Sequence, residues 1–207
     1  MKLSKINKKF IYLISPNKIK NSSFYLELIK IFKLKKVSFF QLRLKNESKK
    51  KKIIIAKKIQ KICKIYKVKF LINDDPILAK KLNADGCHLG QKDMNISEAR
   101  KVLKKKIIGI TCHNSIKLAK LAIKNKADYL AFGAFNFSKT KKTQYKADLY
   151  LLRRIKKITK TPIVAIGGIN YDNYKKLLLN KANFLAISGY IWNNKKLKPI
   201  EAIKKLI

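Results

Sequence analysis

Asp74 and Asp93 are the residues whose type and placement point first to chemistry. The chain carries 51 Lys and Arg against 11 Asp and Glu, a formal charge of +40. Yet the stretch 68–93, VKFLINDDPILAKKLNADGCHLGQKD, places Asp74, Asp75 and Asp93 at the ends of two successive apolar runs. Neighbouring strands would bring the carboxylates of Asp74 and Asp93 within a few ångströms of each other. Such a pair suits Mg²⁺, which takes oxygen ligands and shares them with substrate phosphates. The plainer alternative is a turn acid and a helix-capping acid. Asp75, directly before Pro76, reads as a structural cap rather than a ligand.

Other polar residues fall at the same end of further apolar runs: Gln41, Arg43 and Lys45, then Asn73, then His88, Gln91, Thr111 and His113. Ser138, Thr140 and Lys141 offer two hydroxyls and an ammonium, a set that can grip a phosphate or carboxylate. Gly167-Gly168 and Ser188-Gly189 close two later runs, where backbone amides without side chains make an anion site; a tight turn is the competing role for each pair. His88 and His113 are the only histidines. With no third ligand at useful spacing they do not suggest zinc, and His88, between Cys87 and Leu89, reads as a hydrogen-bonded interior residue. Nothing around Cys112 supports a nucleophile.

What must position these residues is a repeating beat of strand and helix. Strands are expected at 10–14, 37–42, 68–72, 86–89, 107–112, 129–133, 162–166 and 184–188, several of them continuous apolar runs like buried parallel strands. Between them, 48–66 is a lysine-rich helix with Ile55, Ile59 and Ile62 on one stripe. Asn95 with Glu98 resembles a capping box, Asn114 and Ser115 can cap a helix that presents Leu118, Ala119 and Ala122, and Asn170 can cap the helix after Gly168. Eight such units in 207 residues predict an α/β fold, a single (β/α)8 TIM barrel over 1–207. Sites of that fold lie at the C-terminal strand ends, with phosphate commonly held after strands seven and eight. A doubly wound open sheet is the alternative and would more often use fewer strands.

The charge is spread over nearly every expected helix, and only Arg43, Arg100, Arg153 and Arg154 are arginine. A nucleic-acid binder would concentrate arginine and aromatics on one face. Lys, Ile, Asn, Phe and Tyr are also what A/T-rich codons supply, so compositional drift accounts for the excess. The field would still draw phosphorylated small molecules inward. Cys63, Cys87 and Cys112 show no paired spacing, which suits a reducing compartment. The apolar run 10–14 is too short for a signal core or a membrane span. A cytoplasmic protein is expected, with no membrane or specific nucleic-acid partner; a homo-oligomer is compatible with the sequence.

Taken in order, Gln41-Leu42-Arg43-Leu44-Lys45, Ile72-Asn73-Asp74-Asp75, the stretch Asp85 to Asp93 (DGCHLGQKD), Ile108-Gly109-Ile110-Thr111-Cys112-His113, Ser138-Lys139-Thr140-Lys141 and Ala165-Ile166-Gly167-Gly168-Ile169 resemble the motifs of the thiamine-phosphate synthase family over nearly the whole chain. Leu44 stands where that family has an acid, and alternation along a strand would direct it away from its neighbours Arg43 and Lys45. The resemblance implies a transferase that joins a hydroxymethylpyrimidine pyrophosphate to a thiazole phosphate, giving thiamine phosphate and pyrophosphate. It implies Mg²⁺ on Asp74 and Asp93, with Arg43, Lys45 and Lys141 neutralising the leaving group. Gln41, Asn73 and Thr111 would position the pyrimidine; Ser138, Thr140, Gly168, Ser188 and Gly189 would hold the thiazole phosphate. Two alternatives remain: a thiazole tautomerase-like relative, which needs no metal-bound pyrophosphate, and a nonenzymatic lysine-rich polyanion binder.

Overall fold

A computed structural model describes residues 9–137 and 144–207. Eight strands close into a parallel barrel in sequence order: β1 (Ile11–Ile14), β2 (Val37–Leu42), β3 (Lys69–Asn73), β4 (Gly86–Leu89), β5 (Ile107–His113), β6 (Tyr129–Phe132), β7 (Ile163–Ile166) and β8 (Phe184–Ile187). Every expected strand is present within a residue or two at either end. The outer layer is α1 (Ser23–Lys33), α2 (Lys49–Ile65), α3 (Pro76–Lys81), α4 (Ile96–Leu103), α5 (Ile116–Lys124), α6 (Leu149–Ile158) and α7 (Tyr174–Leu179). Two short helices, α8 (Gly189–Trp192) and α9 (Pro199–Lys204), follow β8.

Alternation along the strands divides the apolar residues into two clusters. Leu13, Phe40, Phe70, Ile72, Leu89 and Leu130 face outward into the main core under the helices. Tyr12, Leu71, Tyr129, Ala131, Val164 and Ala186 fill the barrel interior. Full burial of each large apolar side chain contributes about 1.5–3 kcal/mol. Leu44 is buried in the outer core.

Local chemistry fixes the helix starts. Ser48, Asp75, Asn95, Ser115 and Asp148 each accept a backbone N–H from three residues on, satisfying donors that a first turn leaves unpaired. Asp75, which accepts from Leu78 N at 2.8 Å, is therefore the expected cap. Asn114 and Asn170 are not caps. Asn114 donates to Lys146 O. Asn170 sits in a turn, where its Oδ1 accepts from Asp172 N, and α7 begins only after Asn173.

The helix ends are unusual in composition. Lys35, Lys67, Asn83, Lys126 and Lys181 follow helices with φ between 50° and 79°. After four of them the chain closes with a bond from residue i to the carbonyl of i−5: Val68 to Cys63, Ala84 to Ala79, Ala127 to Ala122 and Ala182 to Leu177. Glycine normally fills this left-handed position. All seven glycines of the chain lie elsewhere, in strands, in the loops that follow strands or, for Gly189, at the start of α8.

Candidate active site

Two cavities open at the C-terminal ends of the strands, the mouth of the barrel. One, of about 600 Å³, lies over β2 and β3 and is lined by Lys45, Lys52, Asn73, Asp74 and Asp75. The other, of about 300 Å³, lies toward β5–β8 and is lined by Arg43, Thr111, Gly167, Gly168, Ser188 and Gly189.

The structure brings the two acids together. Asp74 follows β3 with φ 65°, and its backbone N–H donates to His88 O at 2.8 Å, which pins it beside the end of β4. Asp93 folds back over the loop after β4, its Oδ2 accepting from Gly90 N at 2.6 Å. The Asp74 side chain reaches solvent, yet protein atoms crowd one side of it and the Asp93 carboxyl faces it. Burial on that side, then the hydrogen bonding and charge of Asp93, push its pKa up to about 6. Arg43 and the Asn73 amide act in the opposite direction. Among the described residues no group of three or more His, Cys, Asp or Glu is gathered. The donor set is therefore two carboxylates in an open mouth, which fits Mg²⁺ with substrate oxygens completing its sphere and does not fit a closed zinc site.

Arg43 is half-buried and lines the cavity toward β5–β8. Its backbone N–H donates to Ser15 Oγ at 2.9 Å and its Nη1 to Asn17 Oδ1 at 2.7 Å. Burial lowers the pKa of the guanidinium from its ordinary value while Asp74 raises it; an arginine remains charged throughout. Lys45 is exposed at the rim of the larger cavity. Lys52, from the first turn of α2, joins it there, and in so lysine-rich a chain nothing in the sequence distinguishes it.

On the other side, Gly167 and Gly168 have φ of 104° and 58°. The 134–137 loop closes over them: Phe135 N donates to Ile166 O and Asn136 N to Gly167 O. A Cβ on Gly167 would lie 2.4 Å from the Ala134 Cβ, and one on Gly168 would lie 2.3 Å from Phe137 O. These glycines thus satisfy the tight-turn requirement and also leave backbone open to the cavity. Ser188 Oγ donates to Ser15 O at 3.1 Å, joining β8 to the loop after β1. Ser138, Thr140 and Lys141 lie outside the described residues.

Gln41, Asn73 and Thr111 are joined by residues that read as plain core in the sequence. Tyr12, inside an apolar strand, donates to Gln41 Oε1 at 2.9 Å and lies 2.7 Å from the Tyr129 hydroxyl. His88 Nδ1 is 2.8 Å from the Tyr129 hydroxyl, and its Nε2 is 2.9 Å from Thr111 Oγ1. Gln41 Nε2 donates to Asn73 Oδ1. His88 is the interior hydrogen-bonded histidine expected. The sequence signal for the two tyrosines is weak: a polar tip in a buried strand demands a partner. Burial pushes the Cys112 thiol up to about 12, so it stays protonated and is no nucleophile.

The closed parallel barrel with its polar mouth at the strand ends places the chain among the (β/α)8-barrel enzymes. The family model described as thiamine monophosphate synthase matches residues 11–191. A thiamine-phosphate synthase from Pelagibacter ubique is 71% identical over 206 residues, covering 100% of both chains. One from Erythrobacter litoralis is 40% identical over 174 residues, 83% of this chain and 82% of its own. The thiamine phosphate pyrophosphorylase of Pyrococcus furiosus superposes with TM-score 0.84 at 28% identity, over 97% of this chain and 94% of its own. A 3-hexulose-6-phosphate synthase at 16% identity, TM-score 0.65, covering 95% of this chain and 98% of its own, shares the fold alone. The chain belongs to the thiamine monophosphate synthase family. Among the described residues no helix is long and apolar enough to cross a membrane.

Proposed function

We propose that this barrel enzyme is a thiamine-phosphate synthase in which the acidic side of the mouth carries the pyrophosphate and the glycine-lined side carries the thiazole phosphate. The reaction is a transfer: a hydroxymethylpyrimidine pyrophosphate and a thiazole phosphate give thiamine phosphate and pyrophosphate. The C–O bond between the pyrimidine methylene and pyrophosphate breaks, the electron pair leaves with pyrophosphate, and the thiazole nitrogen forms the new C–N bond. An electron-rich aminopyrimidine stabilises the methylene cation, so no protein nucleophile is needed. The enzyme contributes charge neutralisation and positioning.

The convergence of Asp74 and Asp93 is the observation that carries this proposal. Two facing carboxylates are a natural pair of oxygen ligands for a divalent ion; partial burial first, and the Asp93 carboxyl second, raise the pKa of Asp74. Asp74 and Asp93 would hold Mg²⁺, which supplies charge neutralisation for the pyrophosphate oxygens. Arg43, Lys45 and Lys141 extend that neutralisation. Gln41, Asn73 and Thr111 hold the pyrimidine, and Ser138, Thr140, Gly168, Ser188 and Gly189 hold the thiazole phosphate. The test is release of pyrophosphate and formation of thiamine phosphate from both substrates, with and without Mg²⁺. Turnover that requires all three is expected. Isomerisation of a thiazole carboxylate without coupling would overturn the proposal in favour of a tautomerase.

A further inference from the structure

Six polar residues of the barrel, Thr111, His88, Tyr129, Tyr12, Gln41 and Asn73, form one continuous chain whose two ends emerge in the mouth. Tyr12, Tyr129 and Gln41 are at most 2% exposed and His88 is 8% exposed, whereas Asn73 and Thr111 at the ends are half-buried. Such a chain has a direction, because each hydroxyl has a single proton. Tyr12 donates to Gln41 Oε1, so its oxygen accepts from the Tyr129 hydroxyl. Tyr129 has then spent its proton and accepts from His88 Nδ1–H. In the tautomer this chain of donors selects, Nε2 is the accepting nitrogen and Thr111 donates its hydroxyl proton inward. At the far end Gln41 Nε2 donates to Asn73 Oδ1, which leaves the Asn73 NH₂ turned toward Asp74 and the mouth. Burial raises the pKa of both tyrosines far above the ordinary value, so neither proton is lost.

The barrel wall is built to allow this path. Gly109 on β5 pairs with Tyr129 on one side and His88 on the other. A Cβ on Gly109 would lie 1.8 Å from the Tyr129 Cζ. The absent side chain is the notch across which the Tyr129 ring reaches to stack on His88, with centroids 5.7 Å apart at 12°.

We infer that Thr111–His88–Tyr129–Tyr12–Gln41–Asn73 is a one-way hydrogen-bond relay that sets the polarity of pyrimidine recognition: an N–H donor at β3 and a hydroxyl acceptor at β5. An aminopyrimidine offers the complement, a ring nitrogen that accepts and an exocyclic amine that donates. Tyr12, Tyr129 and His88 are then positioning residues, beneath the substrate and not touching it. Reversal of the relay would present two mismatched atoms, which is how a remote hydroxyl controls recognition. This inference rests on the pyrimidine side of the proposed function.

The test is a cycle between Tyr129→Phe and a pyrimidine pyrophosphate analogue with hydrogen in place of the 4-amino group. With the natural substrate, Tyr129→Phe is expected to lower kcat/KM about tenfold, the scale of one mispaired hydrogen bond, through KM for the pyrimidine and with KM for thiazole phosphate unchanged. With the analogue the penalty shrinks to within about twofold. Tyr12→Phe breaks the next link and is expected to give the same signature, with the double variant no worse than either single one; it decides the matter alone if Tyr129→Phe does not fold. An equal penalty on both pyrimidines, or additive losses, would mean the hydroxyls serve only the fold and would overturn the relay. So would no penalty. Wild-type protein that turns over neither pyrimidine would instead strike at the proposed reaction.

Discussion

The two faces of the barrel solve the same geometric problem with different residues. On the lower face, where helices return to strands, the chain turns through positive φ at Lys35, Lys67, Asn83, Lys126 and Lys181. On the upper face, where strands lead to helices, it uses Gly167 and Gly168, with Asp74 and His113 as the non-glycine exceptions. A left-handed lysine costs about 1–2 kcal/mol, and a large core absorbs that cost several times over. At the mouth the cost is of another kind. A methyl group on Gly167 or Gly168 would collide with the 134–137 loop, and no side-chain adjustment relieves a collision with backbone. Glycine is kept where space is required and dispensed with where only a dihedral is.

Asp93→Ala should give the largest effect, because it removes one of the two facing carboxylates from the upper face. A loss in kcat on the order of 10²–10³-fold is expected, measured as pyrophosphate release at saturating Mg²⁺. A loss under tenfold would remove the metal from the proposed role of this acid.

Gly167→Ala comes next. Both the φ of 104° and the approach of Ala134 oppose it, so a destabilisation of about 3 kcal/mol is expected in urea unfolding, together with a raised KM for thiazole phosphate. A neutral result would show that the upper loops yield as readily as the lower ones.

The acid pair also makes stability depend on pH. Asp74 has its folded pKa raised from 3.8 to about 6, so its favourable contribution is full below about pH 3.8 and is lost as pH rises through 6. The metal-free protein should therefore lose thermal stability between pH 5 and 7.5 from this group. Mg²⁺ should raise Tm more at pH 7.5, where Asp74 is charged, than at pH 5. Equal Mg²⁺ effects at the two pH values would argue against a shared site.

The smallest effect belongs to the lower face. Lys67→Gly or Lys126→Gly relieves a left-handed lysine and should stabilise the fold by about 1 kcal/mol or less, since glycine also loosens the unfolded chain. Activity should not change. A large fall in activity would mean that the lower turns are coupled to the site.

Much of this was legible in the chain itself because it depends on local order. Apolar runs of strand length, a turn acid before proline and caps such as Asn95 and Ser115 set the eight units. Their count implied a barrel, and the barrel placed Asp74, Asp93, Gly168 and Ser188 at one end. Asn170 misled because any Asn near a helix start resembles a cap, and only the backbone path decides that Asn173 precedes α7. Lys52 was hidden by the abundance of its own residue type.

The sequence by itself determined the periodicity, the class of fold and the scarcity of acid that singled out one end of two strands. Those are properties of neighbours along the chain, readable from alternation and propensity. Only the tertiary structure decided which residues meet across the barrel. Tyr12 and Tyr129 are 117 positions apart and 2.7 Å from each other at their hydroxyls, and Gly109 is the gap that lets Tyr129 reach His88. A hydrogen bond across a closed sheet depends on barrel closure and strand register, and no window of sequence contains either.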